Sequence, residues 1–172
     1  MLLSEIITKD SIIMELKHTD KDGVIKELVK HLHSLGLIND VDEFVKKIKE
    51  REDIESTGIG EGIALPHARG DVKKISVILG ISKTGIDFKS IDGKPVHLVF
   101  LVAAPLDVKK EYLQVIAKIA KMLKTKNYKN ELINAKNIDD VLNIIYSFDE
   151  KFPKEMEVKT KKGRSVFKEE NK

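Results

Sequence analysis

Apolar residues in this chain recur with a helical period near both ends and run continuously in the middle, and that order already outlines an architecture. SIIMEL (11–16) is short and Ile-rich, and reads as a strand. Thr19 with Asp22 three residues on has the form of a capping box. It would open a helix with Val24, Ile25, Leu28, Val29 and Leu32 on one face and Gly36 as its stop. Asp40 opens a second helix, carrying Phe44, Val45 and Ile48 and running out near Arg51. Beyond a glycine-rich stretch, KISVILGIS (74–82) and VHLVFLVAA (96–104) are candidate buried strands. KTGIDFKSIDGKP between them is hairpin or loop material, with Asp92-Gly93 as a turn signal. Pro105 ends the second run. Asp107 can then cap a long helix with Tyr112, Val115, Ile116, Ile119 and Leu123 along one stripe. Shorter helices are expected near 127–135 and 138–148, the last beginning at Asn137 and Asp140. No period persists from Glu150 onward, so the chain divides into a domain of residues 1–148 and a charged, frayed extension of residues 149–172. Helices bracketing a strand-rich middle give an α/β fold: a mixed β-sheet flanked by helices in a single-domain sandwich.

Composition narrows the function classes. The 172 residues are 41% hydrophobic, enough for one domain with a substantial core. Thirty-one Lys and Arg face 28 Asp and Glu, and a net charge of +3 is too small and too evenly spread to argue for nucleic acid or a membrane surface. Cysteine is absent, so any covalent intermediate must use another side chain. MLLSEIITKD lacks the basic head and long apolar body of a signal peptide, and VHLVFLVAAPL falls well short of the roughly 18 residues that span a bilayer. The chain is therefore read as soluble and cytoplasmic. His31 and His33 ride the first helix, and no His, Asp and Glu set has metal-ligand spacing. GIGEG is followed by no GK[ST] and by no dinucleotide-binding frame, so neither a metal nor a cofactor is expected.

The chemistry concentrates in STGIGEGIALPHAR (56–69). His67 carries the side chain whose ordinary pKa, about 6.5, lets its ring act as a nucleophile near neutral pH. Pro66 fixes one dihedral of its approach, and Gly58, Gly60 and Gly62 let the chain bend while keeping the approach small enough for another protein to press against it. Arg51 and Arg69 flank the segment with guanidinium groups that match a phosphoryl group in shape. Phosphohistidine chemistry follows from that set.

The string REDIESTGIGEGIALPHAR (51–69) resembles the active-site signature of the enzyme IIA domain, fructose/mannitol type, of the bacterial phosphoenolpyruvate-dependent sugar phosphotransferase system. The likeness continues through KKISVILGISKTGIDFKSIDGKPVHLVFLVAAP and into ELINAKNIDDVLNII, and looks most like the fructose-specific branch. The resemblance implies a phosphotransferase component with a phosphohistidine intermediate. It would take its phosphoryl group from phospho-HPr on His67, at Nε2, and pass it to a cysteine of a IIB partner. Arg51 and Glu61 match the family's charged residues at the site, with Glu61 placed to hold Arg51 or orient a partner, and Thr57 matches its hydroxyl. The family's second histidine near the start of the long helix is replaced, because AAPLDVKKEYLQ puts Tyr112 there. His97, in PVHL, also fits the pattern and is read as structural. With no cysteine and no spanning segment, the expectation is a free-standing IIA protein. Its IIB partner would be a separate chain, and it would meet the membrane only indirectly, through a IIC transporter. The alternative is a nitrogen-type regulatory protein whose phosphorylation state governs contacts with other proteins.

Overall fold

The computed structural model describes residues 1–125 and 127–154, and the backbone of residues 156–161 and 164–169. The N-terminus makes a one-turn helix α1 (Leu3–Ile6), a 3-10 turn (Lys9–Ser11) and a two-residue strand β1 (Ile12–Ile13). Helices α2 (Lys21–Ser34) and α3 (Val41–Ile54) follow. Then come the short strands β2 (Gly58–Gly60), β3 (Ile63–Ala64) and β4 (His67–Arg69), and the long strands β5 (Ser76–Ile86) and β6 (Val96–Ala104). Helices α4 (Lys109–Lys124), α5 (Tyr128–Ile133) and α6 (Ile138–Lys151) complete the body.

The six-stranded sheet is mixed. Strands run in the order β1, β5, β6, β3, β2, and β4 also pairs with β6. β1 is parallel to β5, β3 and β4 are parallel to β6, and the β5–β6 and β2–β3 pairs are antiparallel. Alternation in β6 sends Leu98, Phe100, Val102 and Ala104 to one face, where they meet α1, α4, α5 and α6. Val99, Leu101 and Ala103 go to the other face, against α2 and α3. Both faces are covered, which is why β5 and β6 read as unbroken apolar runs rather than alternating ones.

Several boundaries differ from the sequence expectation. The N-cap of α2 is Asp20, not Thr19, and no side chain caps that end. Asp107 does not cap α4 either: Val108 holds the position, again with no side-chain cap. Asp40 does cap α3, its Oδ1 accepting from Glu43 N at 3.0 Å, but that helix continues one turn past Arg51 to Ile54. At α6, Asn137 Oδ1 accepts from Asp140 N at 2.8 Å while Asp140 Oδ2 accepts from Lys136 N at 3.0 Å, so the two expected residues brace each other's backbone. The tail is also more regular than expected: β7 (Met156–Lys161) and β8 (Arg164–Glu169) pair antiparallel, and β7 runs beside α4. Its sequence lacks a long period, yet a hairpin needs only two short stretches of strand-forming residues, here around Val158 and Val166. Among the described residues, no helix is long and apolar enough to cross a membrane.

Candidate functional site

β3 and β4 are one strand with a break in it. Ile63 lies opposite Leu98 and Ala64 opposite Val99, and after Leu65-Pro66 the same register resumes with His67 opposite Val102. Pro66 has no N–H to give the ladder, although its carbonyl still accepts from Val102 N at 3.0 Å. Leu65 turns its N–H to the Thr57 carbonyl at 3.0 Å, across the β2–β3 pair. Its own carbonyl accepts from Nδ1 of His67 at 2.6 Å. A carbonyl oxygen carries no proton, so Nδ1 is the donor, and the neutral ring has its lone pair on Nε2.

Electrostatics hold the ring in that neutral form. Burial pushes the pKa of His67 below its ordinary 6.5; the Leu65 hydrogen bond opposes this, the charge of Arg51 adds to it, and the charge of Glu52 opposes it. Tyr112, buried in the first turn of α4, sets its ring 6.1 Å from the imidazole at an interplanar angle of 56°. Burial drives its hydroxyl well above the usual phenol range, against the charges of Arg69 and Arg51, so it remains a hydrogen-bond donor. Arg69 lies over the same ring, its guanidinium carbon 5.7 Å from the centroid, with Nη1 donating to the Leu106 carbonyl at 3.0 Å. Arg51 Nη1 donates to the Glu55 carbonyl at 2.8 Å. The structure therefore gathers His67, Arg51, Arg69 and Tyr112 within electrostatic reach of one another.

Thr57 and Glu61 are placed otherwise. Thr57 is buried beside Leu65, and its Oγ1 is shielded from solvent without a hydrogen-bond partner. Glu61 stands exposed at the tip of the β2–β3 turn, φ 57°, its N–H donating to Asp92 Oδ2 at 2.9 Å and its carbonyl accepting from Lys129 Nζ at 3.1 Å. The acid whose charge reaches His67 is Glu52 instead. Its signal was in the sequence: Glu52 follows Phe44 and Ile48 at four-residue steps, so a carboxylate sits on the apolar stripe of α3 and must find partners. The flanking glycines serve the chain itself. Gly60 and Gly62 adopt φ of 99° and 84°, values that a side chain resists, and make the tight turn possible. His97 donates Nδ1 to the Ser82 carbonyl at 2.8 Å, tying β6 to β5 away from this cluster.

A family model for the phosphoenolpyruvate-dependent sugar phosphotransferase system, EIIA 2, matches residues 5–148. The chain belongs to this family. It is 35% identical over 150 residues to the fructose-specific EIIABC component of Bacillus subtilis, an alignment that takes in 87% of this chain and 24% of that protein. The chain thus spans about a quarter of that relative's length. The fructose-specific EIIA component of Haloferax volcanii is 30% identical over 144 residues, covering 83% of this chain and 94% of the relative. In three dimensions the chain is similar to the crystal structure of nitrogen regulatory protein IIA-Ntr from Neisseria meningitidis, with a TM-score of 0.77 and 26% identity, over 83% of this chain and 98% of that one. The similar proteins thus include both sugar-specific components and nitrogen regulators, and the family match supports a phosphocarrier role for this chain.

Proposed function

We propose that this protein is a cytoplasmic phosphotransferase component of the fructose-like branch. It accepts a phosphoryl group from phospho-HPr on Nε2 of His67 and passes it to the cysteine of a IIB partner. One observation carries the reading: the 2.6 Å bond from Nδ1 to the Leu65 carbonyl leaves Nε2 bare and aims it. As the donor's P–N bond breaks, its imidazole keeps the electron pair, and the lone pair of Nε2 forms the new P–N bond. His67 keeps its Nδ1 proton, so no other base is required. Little covalent help is needed in such a transfer, because the transition state spreads charge over three oxygens. Arg51 and Arg69 supply positive charge for those oxygens, and the Tyr112 hydroxyl supplies a donor where the family's second histidine would stand. Glu61, exposed on its turn, orients the incoming partner. Ile54, Ile59 and Leu106 are exposed on the segments that build the site and offer that partner apolar contact. The fructose assignment is supported by the two sugar-specific relatives and by the IDG-x-PVHL segment.

A regulatory role is the second reading, favoured by the likeness to IIA-Ntr along almost all of that protein's length. One reconstitution separates the two. Phosphoenolpyruvate, enzyme I and HPr are expected to place acid-labile phosphate on this protein and none on His67→Ala. Onward passage to a fructose-type IIB cysteine supports transport, whereas a charged His67 that no IIB protein discharges supports regulation. Phosphate on a different side chain would overturn both.

A further inference from the structure

Glu52 is buried, yet it is a carboxylate and must be compensated. Its Oε1 lies 2.7 Å from Lys21 Nζ, and it accepts the Thr57 N–H at 3.0 Å on Oε1 and 3.3 Å on Oε2. Thr57 in turn accepts from Leu65 N, and Leu65 accepts from His67 Nδ1. An unbroken line of contacts therefore leads from the first residue of α2, through the last turns of α3, to the reacting ring. Lys21 is itself fixed, 5.1 Å from the centroid of the Phe88 ring, with its side chain largely covered.

We propose that the Lys21–Glu52 pair is a positioning device for His67: it anchors Thr57, and through Leu65 the imidazole, and supplies the negative charge that offsets Arg51 at the ring. The role rests on His67 being the phosphoryl acceptor, but its physical core does not depend on that. The charged and titratable groups around the ring are Arg51 and Glu52 from α3, Tyr112 from α4 and Arg69 from β4. The charge of the pair is read from the ring's proton affinity, and its anchoring role separately, from the transfer rate. A pair that sets the field at the ring makes the two removals act in opposite directions.

The test is a nuclear magnetic resonance titration of the His67 ring in the intact protein, as wild type, Glu52→Gln and Lys21→Met. Glu52→Gln keeps an acceptor for the Thr57 N–H but loses the charge, so the midpoint is expected to fall by about half a pH unit. Lys21→Met leaves the carboxylate uncompensated, so the midpoint is expected to rise. Any other pattern overturns the proposal, and if Glu52→Gln does not fold, Lys21→Met decides alone. Glu52→Ala also removes the acceptor. It is expected to accept phosphate from phospho-HPr about ten-fold more slowly than Glu52→Gln, and equal rates would refute the anchoring role. Should wild-type protein take no phosphate at all, the phosphocarrier reading fails while the titration still decides what Glu52 does.

Discussion

At the scale of single residues, the hydrogen bond from Nδ1 of His67 to the Leu65 carbonyl fixes which ring nitrogen is left for the proposed transfer. The folded pKa of this ring lies below 6.5, so at neutral pH Nε2 is unprotonated, and phosphoryl acceptance is expected to fall as the pH drops through that lowered value. The same shift has a stability counterpart. Between the folded pKa and 6.5 the unfolded chain binds more protons at this site, so the contribution to stability is fully present above 6.5 and is lost as the pH falls through the folded value. Urea unfolding of wild type and His67→Gln across pH 5 to 8 checks this; the variant should lose less stability on acidification, and parallel curves would refute the assignment. Tyr112 offers a second measurement. Tyr112→Phe keeps the ring contact and is expected to change stability by about 1 kcal/mol or less while slowing phosphoryl acceptance several-fold. If that rate and the phosphohistidine lifetime survive both Tyr112→Phe and Tyr112→His, the residue only fills space. That Arg51 and Tyr112 lie near His67 was legible, because ordered strings of the sequence carry them. Glu52 was legible too, as a carboxylate on the apolar stripe of α3, whereas the outward direction of Glu61 was not, since a position in a glycine-rich turn does not say which way its side chain points.

At the scale of elements, caps and turns carry the local stability. Asp40→Ala and Asn137→Ala each remove an oxygen that accepts a first-turn N–H, and each is expected to cost about 1 kcal/mol in denaturant unfolding. Gly62→Ala should cost at least as much, because its φ of 84° strains a side chain and its carbonyl accepts from both His97 N and Leu98 N. A melting temperature equal to wild type would show that the β2–β3 turn relaxes freely. Helices and the two long strands were readable from periodicity. Thr19 and Asp107 were misassigned as caps because the true cap positions, Asp20 and Val108, lie one residue further on, and a cap is chosen by where the chain enters the helix, not by residue type alone. β3 and β4 left no readable alternation, since Leu65-Pro66 divides them and both are only two or three residues long.

For the whole molecule, the three-layer arrangement was legible in the continuous apolar runs of β5 and β6 between helical segments. The placement of β1 beside β5, and of β3 with β4 beside β6, was not, because pairing between distant segments imprints no local pattern. The N-terminus is likewise fastened by remote partners: buried Asp149 accepts from Leu3 N at 3.0 Å and Ser4 N at 2.9 Å, and Lys118 Nζ donates to the Met1 carbonyl at 2.7 Å. Asp149→Ala strands those amides and is expected to cost about 2 kcal/mol in global stability while leaving phosphoryl acceptance per folded molecule unchanged. A matching loss of acceptance would connect this distant end to the site. The unchanged register from Ile63 to Arg69 has a last consequence. A residue pinned to the central strand has no slack with which to announce a chemical modification by moving. If His67 carries phosphate as proposed, whatever docks here would tell the loaded form from the empty one by the added group and its charge rather than by a shifted backbone, and added salt should blur the difference.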